Sequence, residues 1–246
     1  MAPNKYAPGH VTDRTSEWFV PAFGSPKFRF FVGMLFLPYT GMVIAFTVVG
    51  AMLAETIYWD RVLATAVVYF LGLGIAAHAL DAAGSKEAKP WGTLFTKAQL
   101  WLMAVISLII AYLIAIYYMV LHVPFLWIVA VLEGFFVFAY NLEWFGGKLH
   151  TDAWFAFSWG FLPVCAGYIM QTNRISLEAL ALAGSMALFS RVEIKASRPY
   201  KSLKRKENGL NKEEREMMQR YEAILKSISI GVLLLGAGLL LRRAFG

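Results

Sequence analysis

Apolar residues arrive along this chain in long blocks, with polar residues clustered in short stretches between them. Seven blocks read as spanning helices, at about 28–54, 62–80, 100–121, 125–142, 153–170, 175–189 and 227–241. Several approach or exceed the ~18 residues that cross a bilayer. Pro38 is predicted to kink the first block, and Pro163 lies inside the fifth. His122, Val123 and Pro124 predict a tight turn between the third and fourth. Block six is rich in small residues (Ala181, Ala183, Gly184, Ser185, Ala187), which permit close helix contact. The charged stretch 191–225 ends in a pattern that predicts an amphipathic surface helix, capped by Asn211 with Glu214 three residues on. The expected fold is an all-α polytopic membrane bundle over 28–246, preceded by a polar tail over 1–27. In that tail Trp18, Phe19 and Val20 form an apolar island, expected to lie in the membrane interface as an anchor.

Composition sharpens this picture. Of 246 residues, 59% are apolar and only 16% charged, far from the soluble average. The net charge of +7 is concentrated in 191–220, beside membrane helices. That placement points to orientation and anionic lipid, not to nucleic acid. The tail, and the loops after blocks two, four and six, fall on one side and carry most of the lysine and arginine. The positive-inside rule puts that side, with the N terminus, in the cytoplasm; Arg242 and Arg243 at the far end run against it. An integral protein of a prokaryotic plasma membrane is expected. The first ~27 residues lack the apolar core of a signal peptide, so no cleaved segment is expected. Cys165 is the sole cysteine, which excludes an intrachain disulfide and a cysteine-based metal cluster.

The candidate chemistry centres on Gly74–Gly92, where the second block stops on His78 and Asp81, three residues apart on one helical face. Lys86 and Lys89 follow. The fourth-to-fifth connection adds Tyr140, Asn141, Glu143, Lys148, His150 and Asp152, and the end of block six adds Arg191, Glu193 and Lys195. Ionisable groups at a membrane-helix end are costly unless they meet water, a partner or a ligand. Carboxylates mixed with lysines suit a magnesium–pyrophosphate ligand, the acids holding metal and the cations phosphate. Glu133 lies near mid-membrane depth, where it is expected to be protonated, or bonded to a Tyr or Ser of another helix.

This layout resembles the UbiA superfamily of intramembrane prenyltransferases, over roughly residues 28–205. Asp81 occupies the place of that family's first aspartate-rich motif, after the second helix. Tyr140–Tyr168 resembles its tyrosine-started basic turn into the fifth helix, with Gly160, Pro163 and Gly167 fitting the pattern. The chain departs from the family in its acids. His78-Ala79 stands where the leading asparagine or aspartate belongs, Ser85 stands four residues after Asp81, and Glu193 is alone where a second aspartate motif is expected. It also has seven blocks where the family usually has nine helices. The resemblance implies Asp81, Tyr140 and Asn141 as catalytic residues. His78, Lys86, Lys89, Lys148 and Arg191 would bind substrate, with Mg2+ on Asp81 and Glu193. The implied reaction ionises an allylic prenyl pyrophosphate and transfers the prenyl group to an aromatic or lipid acceptor, with Trp and Phe rings sheltering the cation or simply packing.

Three readings fit these residues. One is a divergent UbiA-type prenyltransferase. A second is a non-catalytic UbiA-like subunit of a membrane assembly that binds lipid, transports or supports protein partners. A third uses His78, Asp81, Glu143, His150 and Asp152 to bind zinc, manganese or iron directly. Each residue also has a plainer role: His78 pairing Asp81 or a lysine, Asp152 capping the fifth helix, Glu143 pairing Lys148, and Lys201–Lys206 as a lipid-facing charge belt.

Overall fold

The computed structural model describes residues 17–84, 95–206 and 209–246, and every regular element among them is helical. The first block is two helices, α1 (Pro26–Leu35) and α2 (Leu37–Ala51), bent by 43°. The bend falls where Pro38 predicts it. Phe36 takes a left-handed backbone at φ 45° and Pro38 opens α2. The Thr40 hydroxyl donates to the Leu35 carbonyl at 2.6 Å, satisfying an acceptor that the broken helix leaves open.

The second block is continuous from α3 (Trp59–Tyr69) through a π-helical stretch (Phe70–Ala76) into α4 (Ala77–Gly84). Next come α5 (Lys97–Leu121) and α6 (Leu126–Asn141). The fifth block is α7 (Asp152–Ala156), a π turn (Phe157–Phe161) and α8 (Leu162–Thr172). Thr151, not Asp152, caps α7: its hydroxyl accepts from the Trp154 N–H, and Asp152 lies in the first turn.

The charged stretch differs from expectation. Block six and the first half of that stretch form one helix, α9 (Leu177–Lys204), which continues through Pro199. The predicted surface helix and the last block are likewise one helix, α10 (Lys212–Phe245). The Asn211–Glu214 capping box forms as predicted. Nothing between Leu225 and Ile230 breaks a helix, and an i,i+4 ion pair joins Glu222 to Lys226.

Four of these stretches are long and apolar enough to cross a membrane: Trp59–Gly84, Lys97–Leu121, Asp152–Thr172 and Lys212–Phe245. The bent α1–α2 pair makes a fifth. The other two expected spans fall short by that measure. α6 is apolar but has 16 residues, and the second half of α9 is charged.

Alternate helices reverse direction, so the bundle has a basic end and an opposite end. At the basic end lie the starts of α1, α5, α7 and α10 and the ends of α4, α6 and α9. At the opposite end, side chains cap helix termini. Arg61 donates to the Met170 carbonyl at 3.2 Å, and Asn173 Oδ1 accepts from the Phe125 N–H at 2.9 Å. Arg243, one of the two arginines that run against the charge rule, donates to the Met52 carbonyl at 3.2 Å and to that of Ala54. It answers orphan carbonyls beyond α2, so a local bond explains its position.

The closest approach in the core is backbone to backbone. A Cβ on Gly50 of α2 would sit 2.0 Å from the Val164 carbonyl oxygen. One on Gly167 of α8 would sit 1.9 Å from that of Thr47. Gly160 meets α9 in the same way, 2.7 Å from the Ala187 Cα, which is the close contact the small residues of block six predict. Gly50→Val is therefore expected to destabilise the fold by ~1–3 kcal/mol, read as a lower thermal midpoint in detergent. Gly184→Ala, where a Cβ meets nothing within 4 Å, is expected to leave that midpoint unchanged or slightly raised.

Candidate functional site

The basic end gathers side chains from α1–α2, α4, the α6–α7 connection and α9 into one polar and aromatic layer. Aromatic rings form its spine. Phe36 lies 5.8 Å from His78, His78 lies 5.5 Å from Trp159, and Trp159 stacks on Phe155 at 5.2 Å. Phe155 in turn meets Tyr140 at 5.9 Å, and Tyr140 stacks on His150 at 4.3 Å. Two helix irregularities aim this lane. The bend at Phe36 turns its ring inward. The π turn at 157–161, just before Pro163, sets Trp159 against α4 and α9. Pro163 has no N–H for the Trp159 carbonyl, and the buried Ser190 hydroxyl lies 3.5 Å from that oxygen.

Charged groups attach to the lane in two clusters. In the first, the Arg198 guanidinium pairs with Asp152 at 3.1 Å, donates to the His150 carbonyl at 3.4 Å and lies within electrostatic reach of the Tyr140 hydroxyl. His150 Nδ1 lies 3.0 Å from the Tyr140 carbonyl oxygen. Asp81, half-buried on α4, lies within electrostatic reach of Tyr140. In the second cluster Glu193 is 2% exposed and Ser197, one turn on, is fully buried. Lys201, a further turn along α9, lies within electrostatic reach of the Glu193 carboxylate, whose Oε1 is buried with no hydrogen-bond partner among the described residues. The Lys201 ammonium sits 4.7 Å from the centre of the Phe36 ring. Lys201 therefore belongs to the layer and not to a lipid-facing belt.

The segment before α1 docks on this layer. The Tyr200 hydroxyl donates to buried Glu17 at 2.8 Å. Burial first, then the Glu17 carboxylate, raises the Tyr200 hydroxyl above its ordinary range, so it stays a donor. Phe19 packs on Phe36 at 5.2 Å, and Lys226 lies over Trp18. The apolar island expected as an interfacial anchor is thus packed against protein, because Glu17 ties it down.

The predicted site residues divide accordingly. His78, Asp81 and Tyr140 join the layer around the ring lane. Asn141 is buried, but its amide donates to the Val137 carbonyl of its own helix at 2.8 Å. Its backbone carbonyl lies against Gly84, where the ends of α4 and α6 approach closely. Lys148 and Arg191 are exposed. Lys86 and Lys89 lie outside the described residues, as does Ser85. The two proposed magnesium ligands meet different neighbours: Asp81 is near Tyr140, and Glu193 is near Lys201. Among the described residues no three His, Cys, Asp or Glu side chains come together as a metal site. A diphosphate carried on magnesium needs several carboxylates at one point, and the described residues by themselves do not bring them together. The five-residue set of His78, Asp81, Glu143, His150 and Asp152 likewise forms no such group. Glu143 instead takes a left-handed backbone in the turn, at φ 52°.

Sequence reasoning missed Arg198, Glu17, Tyr200 and Ser197. The α9 members were detectable. Glu193, Ser197 and Tyr200 recur at helical spacing on one face, with Arg191, Lys195 and Arg198 facing outward. Glu17 carries no such signal, since its burial depends on a contact 183 residues away. No family model, curated protein or solved structure matches this chain.

Tyr200→Phe is expected to leave the Glu17 carboxylate buried without its donor and to cost ~1–3 kcal/mol. Thermal unfolding and a red shift of tryptophan emission as Trp18 leaves its site would record it. Arg198→Met breaks an ion pair whose partners are 43% and 28% exposed, and is expected to cost under ~1 kcal/mol.

Proposed function

We propose that this chain is a non-catalytic integral membrane protein of UbiA-like layout, a lipid-binding or structural subunit of a membrane assembly. One observation carries the reading: two carboxylates of the layer, Asp152 and Glu17, are engaged by protein partners. Asp152 is paired with Arg198 and Glu17 accepts from Tyr200, while Lys201 lies within electrostatic reach of Glu193, whose Oε1 is buried with no hydrogen-bond partner among the described residues. The Asp152–Arg198 pair ties α7 to α9 and the Glu17–Tyr200 bond ties the segment before α1 to α9. Among the described residues no cluster of carboxylates gathers to carry magnesium and diphosphate. A stripe of outward cations on α9, Arg191 and Lys195, flanked by exposed Phe189 and Val192, suits anionic lipid headgroups or a partner at the membrane surface. All seven helical blocks cross the membrane in this reading. α6 and α9 are completed by neighbours, and the basic end and N terminus face the cytoplasm of a prokaryotic cell.

A second reading, prenyl transfer, draws on the ring lane from Phe36 to Tyr140, whose faces suit a developing allylic cation. Asp81 and Glu193 would then hold Mg2+, with Lys86, Lys89 and Lys148 on the phosphates.

Two experiments test these statements. Purified protein in lipid nanodiscs, given magnesium, a labelled allylic diphosphate and aromatic acceptors, is expected to release no diphosphate. Turnover that disappears in Asp81→Asn would instead establish the enzyme. For orientation, single cysteines are placed on a Cys165→Ala background. Ser176→Cys is expected to react with a membrane-impermeant maleimide on intact cells, and Lys148→Cys only after permeabilisation. The reverse pattern would invert the topology.

A further inference from the structure

A chamber lies away from the basic end, within the bundle between α3 with its π stretch, α5, α6 and α8. It is a cavity of about 80 Å3 with almost wholly apolar walls, including Leu73, Leu108, Val129 and Met170. Glu133 of α6 reaches it. One carboxyl oxygen, Oε1, accepts from the Tyr69 hydroxyl at 2.9 Å, one of the two outcomes expected from the sequence for a mid-span acid. The other, Oε2, is buried with no hydrogen-bond partner among the described residues.

The surroundings are built to stay open. The π stretch at 70–76 displaces the helix wall, and Gly72 within it lines the chamber without meeting anything at its Cβ position within 4 Å. α5 and α6 touch little along their lengths. The Tyr112 hydroxyl bridges them by donating to the Ala130 carbonyl at 2.8 Å, and only a glycine at 134 leaves room for it. Outside this seam Leu113 and Val131 are exposed, as expected of lipid-facing positions.

An ionised carboxylate with one hydrogen bond is expensive at membrane depth. The acid form is affordable if the hydrogen on Oε2 finds an acceptor. Water fills ~30 Å3 and a ~150 Å3 cavity holds benzene, so this chamber takes the end of a lipophile and not a whole one. We propose that the Glu133 chamber binds the carbonyl-bearing end of a neutral membrane lipophile, whose oxygen accepts a hydrogen bond from Glu133 and whose chain leaves between α5 and α6. This site stands apart from the polar layer and does not depend on how that layer is read.

The test uses the full chain in phosphatidylcholine nanodiscs and a long-chain methyl ketone, isotope-labelled at its carbonyl. Saturable binding with a hydrogen-bonded shift of the labelled carbonyl band is expected. Glu133→Gln keeps a donor and is expected to keep the shift. Glu133→Leu removes it and is expected to weaken binding about tenfold. Gly72→Leu fills the void and is expected to abolish binding, with thermal midpoints confirming that each variant folds. Unchanged affinity in Glu133→Leu would overturn the proposal, as would a carbonyl band identical to that in empty nanodiscs, which would mean water alone occupies the chamber. Saturable binding of a long-chain amine that Glu133→Gln destroys would also overturn it, since the site would then be a carboxylate for cations.

Discussion

The backbone contact between α2 and α8 is the constraint on which the other arrangements rest. Lipid tails are as apolar as leucine, so little hydrophobic force draws membrane helices together. Close packing must supply the attraction. Gly50 and Gly167 let two helices meet at their main chains, each with its missing Cβ facing a carbonyl of the other. Once α2 and α8 are locked, Phe36 at one end of the pair and Trp159 at the near end of the other come to the same level, and His78 sits between them.

Regular helices would not complete either site. Each of the spans that carry His78 and Trp159 contains a π-helical stretch, and the first span is bent at Phe36. The stretch at 157–161 turns Trp159 into the ring lane, while the one at 70–76 leaves room beside Glu133. The irregularities are braced by neighbours. Gly74 allows Thr40 to pack against the first, and the same Thr40 hydroxyl caps the bend. Gly160 and Ser190 hold the second to α9. Local departures from the α-helix are thus part of how the bundle positions its side chains.

The polar groups behave as the surrounding dielectric requires. A buried charge without a partner costs several kcal/mol, and the basic end meets that cost with a matching group for Asp152 and for Glu17. Glu133 is different, because one of its oxygens faces an apolar chamber. Glu193 Oε1 in the polar layer is also buried without a hydrogen-bond partner among the described residues, but Glu133 Oε2 adjoins a chamber with capacity left for a guest.

Sequence alone determined the helical blocks, the bend at Pro38, the turn at His122–Pro124, the capping box at Asn211 and the need of Glu133 for a partner. Each follows from short-range rules: apolar run length, missing N–H groups, cap chemistry, or the cost of a carboxyl in an apolar run. It also brought His78, Asp81 and Tyr140 to one end, since alternate helices must return to the same side. Tertiary structure decided which of those groups face one another. That Glu17 lies under Tyr200, that Lys201 covers Phe36 near Glu193, and that Asn141 turns back to Val137 depend on helix rotation and close approach. Those are set by contacts between residues far apart in the chain, and no local pattern encodes them.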